Sequence, residues 1–169
     1  MRKLLCVILV LSLTSSPVLA MTYSQENSCH AIIHSSATAA AGSAIVMSQA
    51  PGADNIALAI AIGGMTIALA NVFDISFAKT TAETIGVAIL GTFSTTIAVR
   101  FASQWLFGWI PFVGNSLNAA TMFGMVEWIG WEVAGALDKK RSATLSIGGN
   151  IANVVITIKD LIDIISGKK

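Results

Sequence analysis

Residues 105–131, WLFGWIPFVGNSLNAATMFGMVEWIGW, decide how the chain folds. They hold all four tryptophans, one of the three prolines and a compact breaker, Ile110-Pro111-Phe112-Val113-Gly114-Asn115. Proline removes a backbone donor and glycine loosens the chain, so a helix entering this stretch must stop and restart. On both sides the sequence reads as long apolar helix. The chain is therefore expected to be all-α, with apolar helices folded back on one another around this corner.

Composition sets the solvent problem. Of 169 residues, 11% are charged and 54% are apolar, and the mean hydropathy is +0.76. A soluble domain ordinarily carries about 25% charged residues. Between Asn27 and Val126 the only charges are Asp54, Asp74, Lys79, Glu83 and Arg100. So few charges are expected to leave helix faces that meet lipid, a partner protein or a second copy. The net charge is +1 and the body has no basic patch, so nucleic acid is not an expected partner.

The first twenty residues read as a secretory signal. Arg2 and Lys3 form a basic start, 4–13 an apolar core, and Thr14-Ser15-Ser16-Pro17 a break before Val18-Leu19-Ala20. Cleavage after Ala20 would leave 21–169 as one helical-bundle domain with Cys29 as its sole cysteine. That thiol is expected to lie in a helix interface or to pair between chains. The expected location is the cell membrane or periplasmic envelope of a bacterium.

Helices are expected at about 24–50, 55–74, 81–107 and 115–137, followed by an amphipathic helix at about 147–166. The first is rich in Ala, Ser and Thr, and Pro51-Gly52-Ala53-Asp54 ends it, with Asp54 as N-cap of the second. Thr80-Thr81-Ala82-Glu83 matches a capping box for the third. Asp138-Lys139-Lys140-Arg141 reads as a charged stop to the fourth. Ile151, Val154, Val155, Ile158, Leu161, Ile162 and Ile165 recur at helical steps along the last. No clear β-strand is expected. Small residues four apart recur at Ala59/Gly63, Gly64/Ala68, Ala120/Gly124 and Gly130/Ala134, a spacing that lets helix backbones approach closely. If helices two to four cross a bilayer, Lys79 and 138–141 fall on the cytoplasmic side, as the positive-inside rule asks. The first helix would then lie against the others.

At the corner and around it the chain resembles the uncharacterised all-helical domain often attached to bacterial Ras-like GTPases. The resemblance rests on the small-residue run 37–44, on Pro51-Gly52-Ala53-Asp54, on the 110–115 breaker, on Ala119-Ala120-Thr121 and on Ile129-Gly130-Trp131, and it covers about 29–138. It implies a helical module, often membrane-associated, with no established catalytic role, and no functional residue carries over. No GTPase segment lies within these 169 residues.

Chemistry is sparse. No phosphate loop, Ser/His/Asp set or Cys-x-x-Cys occurs, and neither a cofactor nor enzymatic activity is expected. Glu26, His30 and His34 fall on one helix face at four-residue steps and are weak candidates for metal ligands, with chance spacing as the simpler reading. Asp74, Arg100 and Glu127 are ionisable groups near apolar helix, and in a membrane they would mark a pathway or a buried pair. The expected function is a non-enzymatic membrane or membrane-associated envelope protein acting through helix–helix interaction with itself or a partner. The alternatives are a small pore or transport component with Arg100, Asp74 and Glu127 facing a lumen, and a soluble bundle that binds a metal or small ligand.

Overall fold

The computed structural model describes residues 21–47, 53–77, 81–93, 113–146 and 154–168. Within them the chain forms α1 (Tyr23–Met47), α2 (Ala53–Val72), β1 (Ile75–Phe77), α3 (Ala82–Thr92), α4 (Val113–Ser146), β2 (Val154–Ile156) and α5 (Ile158–Ile165). The signal, Arg100, Trp105 and Trp109, and the breaker up to Phe112 lie outside the described residues.

The fold is mostly helical, as expected, and α4 is its spine. Its 34 residues extend about 51 Å at 1.5 Å per residue. It packs against α1, α2 and α5. It buries Met122, Met125, Val126, Ile129, Val133, Ala134 and Leu137 at three- and four-residue steps. In return α1 buries Cys29, Ile33, Ala37 and Ala40. Contacts at Ile33–Gly130 and Gln25–Arg141 show that the two helices run antiparallel.

The charged run at 138–141 does not stop α4, contrary to expectation. Lysine and arginine are good helix formers, and here the run straddles the helix, with Asp138 4% exposed and Lys139 exposed. The expected start at 115 also moves, to Val113.

Helices α2 and α3 form an antiparallel hairpin at very short range. A Cβ built on Gly63 would overlap the carbonyl of Ala82, and one on Gly86 would overlap the carbonyl of Ala59. Thus Ala59 and Gly63, one turn apart on α2, face Gly86 and Ala82, one turn apart on α3. Only the missing side chains let the two backbones approach so closely. Gly130, on α4, makes a looser version of this contact, since its would-be Cβ lies 2.8 Å from Ile33 carbons and 3.1 Å from the Met65 sulfur.

Local chemistry sets the ends. Ala53 and Asp54 both lie inside α2, so Asp54 is not its N-cap. The N-cap of α3 is Thr81, whose hydroxyl accepts from Thr84 N–H at 3.3 Å. The cap falls one residue later than the Thr80/Glu83 box. α3 closes at Phe93, well before the expected 107. The Thr92 hydroxyl donates to the Ala88 carbonyl at 3.0 Å. Such side chains compete with the helix backbone. The turn out of α2 is made by Asp74, at φ 57°, a left-handed position that Asp tolerates better than most residues.

Two strands correct the expectation of none. β1 and β2 pair in parallel, with Ile75 opposite Val154 and Phe77 opposite Ile156. The run 154–158 is all β-branched, which favours extended backbone. Val155 is 61% exposed while Ile156 is fully buried, a two-residue alternation rather than a helical one. Of the expected amphipathic helix at 147–166, residues 147–153 lie outside the described residues, and the described part is helical only as α5. Thr157 and Asp160 cap its start reciprocally. At its end Gly167 N–H donates to Ile164 and Lys168 N–H to the Asp163 carbonyl, with Gly167 at φ 70°. This is the left-handed glycine stop of a Schellman motif.

Candidate functional site

The polar chemistry of the described residues gathers along the seam between α1 and α4, in one exposed group and one buried group. The exposed group follows from spacing. His30 and His34 are four apart on α1, and Phe123, Glu127 and Trp131 are four apart on α4, so antiparallel packing sets one row against the other. His34 Nδ1 lies 2.9 Å from Glu127 Oε1. The His34 ring meets Phe123 edge-on, with centroids 5.2 Å apart, and the His30 ring meets Trp131 edge-on at 6.0 Å. The two imidazoles stack at 5.9 Å with 25° between their planes. Both histidines are exposed, and the Glu127 side chain is 22% exposed. The sequence row Glu26/His30/His34 is thus split. The histidines are braced together by α4, while Glu26 is exposed one turn before His30. Among the described residues no three His, Cys, Asp or Glu side chains are grouped to hold a metal ion.

The buried group lies one to two turns along the seam. Gln25 is its hub. Its Oε1 accepts from Arg141 Nη1 at 3.1 Å and from Thr22, and its Nε2 donates to the Val72 carbonyl at 3.4 Å. One amide thereby ties the start of α1 to the end of α2 and to α4. Fully buried Cys29 and 4%-exposed Asp138 belong to the same region. The Cys29 thiol is pushed up to about 11, first by burial and second by the Asp138 carboxylate. A thiol held protonated in this way is a poor nucleophile, and its role here is packing.

The sequence reading missed Gln25, Asp138 and Arg141. A signal existed. Asp138 and Arg141 continue the buried steps Val126, Ala134 and Leu137 at three- and four-residue spacing, so two charged side chains sit on the inward face.

Of the three pathway residues, two are described and lie on different parts of the fold. Asp74 is exposed at the α2–β1 turn, Glu127 pairs with His34 on the α1/α4 seam, and Arg100 lies outside the described residues. No family model, no curated protein and no solved structure matches the chain, and nothing bears on the GTPase-associated helical domain.

Proposed function

We propose that the chain is a non-enzymatic helical module of a bacterial envelope, exported and membrane-associated, that works by packing helix faces against itself or a partner. The observation that carries this reading is the outer side of the α2/α3 hairpin. On α2, Ile60 is 49% exposed and Gly64, one turn on, has open space above it. On α3, Val87 is 58% exposed and Gly91, one turn on, is equally open. Each helix therefore turns an apolar residue and a glycine outward, as it turns small residues inward at the hairpin contact. No charged side chain occurs between Asn55 and Phe73 or between Thr84 and Val99. An uncharged surface with room for a backbone favours a helix as its complement.

Among the described residues no helix is long and apolar enough to cross a membrane. The proposal rests on faces and requires no span. The test is fractionation of the tagged protein, with an N-terminal mass and cross-linking through Ile60→Cys. Recovery with membranes, a start at Met21 and a cross-linked dimer or partner adduct support the reading. Recovery from the soluble fraction as a full-length, monodisperse monomer overturns it.

A further inference from the structure

The exposed imidazole pair carries an inference separate from helix packing. An ionised carboxylate has no proton to donate, so the 2.9 Å contact with Glu127 requires the proton of neutral His34 to sit on Nδ1. That leaves the Nε2 lone pair free, on a side chain that is 57% exposed. A carboxylate behind a histidine is the outer-shell arrangement that fixes the tautomer of metal-binding imidazoles and raises their basicity.

The second ring is in reach. Two imidazoles sharing one ion through nitrogens about 2.1 Å away place their ring centres about 5 Å apart. His30 and His34 stand at 5.9 Å, so binding requires a rotation of one or both rings to close the gap. Phe123 and Trp131 meet the two rings edge-on from α4, so that rotation takes place against aromatic edges on one side.

We propose that His30 and His34 chelate one borderline divalent cation, zinc or copper(II), through their Nε2 atoms, with Glu127 orienting His34 from behind. Water fills the remaining positions. The site is a two-ligand one, open and exchangeable rather than structural.

The experiment titrates untagged, detergent-compatible full-length protein with Zn²⁺ by calorimetry and with Cu²⁺ by electron paramagnetic resonance. One Zn²⁺ should bind per chain. Glu127→Ala should weaken binding about 10–100-fold, the range for losing an outer-shell partner. His30→Ala and His34→Ala should each weaken it more. The copper spectrum should show two equatorial nitrogens in the wild type and one in either histidine variant. Both histidines are exposed, so their circular dichroism should match the wild type. Absence of saturable Zn²⁺ binding, wild-type affinity in either histidine variant, or an unchanged nitrogen count would each overturn the proposal. Membrane recovery of the same variants is read in parallel, and its outcome bears on helix packing alone.

Discussion

Gly63 and Gly64 are neighbours in sequence and should answer the same substitution with opposite signs. Gly64→Ala adds a methyl into open space on an exposed helix face. It should stabilise the fold by about 1 kcal/mol, the helix-propensity difference between the two residues. Gly63→Ala gains the same propensity but drives its Cβ into the Ala82 carbonyl. The obstacle is backbone of another helix, so no rotamer change relieves it. The hairpin must open, disturbing the packing of buried Ile62, Ile85 and Ile89. Overpacking of this kind costs about 1–3 kcal/mol, and a rigid obstacle argues for the upper end. After the propensity gain, Gly63→Ala should lose about 2 kcal/mol, leaving the two variants about 3 kcal/mol apart. For a domain of this size that is roughly 6–12 °C in melting temperature. Thermal unfolding followed at 222 nm, in the medium that keeps the wild type monodisperse, reads the difference. Gly86→Ala should behave like Gly63→Ala. A Gly63→Ala protein melting at or above the Gly64→Ala protein would refute the close backbone contact.

Other outcomes follow from the ends of the helices and the buried seam. Cys29 should resist alkylation at pH 8 in the native protein and react fully once the chain is unfolded, as mass spectrometry would show; rapid native labelling would contradict its burial. Because the folded thiol titrates near 11 rather than its usual 9, its contribution is complete below pH 9 and lost as pH rises to 11. Stability should fall there by up to about 1.4 kcal/mol per pH unit, and Cys29→Ala should flatten that slope in urea titrations. Asp74→Gly should be neutral or stabilising by up to about 1 kcal/mol, whereas Asp74→Val should destabilise, since only the latter is strained at φ 57°. Thr157→Ala removes one half of the reciprocal cap of α5 and should cost about 1 kcal/mol, seen as earlier hydrogen exchange in 158–165.

What could be read from the chain was what neighbours in sequence decide. The bounds of α1 and α2 fall within a few residues of expectation because proline, glycine and aspartate punctuate them locally. The spacing at Ala59/Gly63 and Gly130/Ala134 marks contacts that form, yet the same spacing at Gly64/Ala68 and Ala120/Gly124 does not mark a contact inside the fold. Small residues say that an approach is permitted, not which helix arrives. The stop at 138–141 failed because charge was treated as exposure, whereas Gln25 brings an amide to Arg141 from more than a hundred residues away. The strand at 154–156 failed because valines and isoleucines satisfy a period of two and a period of 3.6 over so short a run. Its partner, Ile75–Phe77, is too short to announce itself. At the exposed site the sequence showed His30 and His34 on one face, but Phe123, Glu127 and Trp131 enter only through the packing of α4 on α1.

The parallel pairing of β1 with β2 has a consequence for the order of assembly. The α2/α3 contact joins positions about 20 apart, while the strand pair joins positions about 80 apart, a difference of about 1.2 kcal/mol in loop-closure entropy. During synthesis the second strand also leaves the ribosome about 80 residues after the first. The hairpin therefore serves as a template on which β2 zips up after it, and Ile75 lacks its strand partner in the nascent protein until it does.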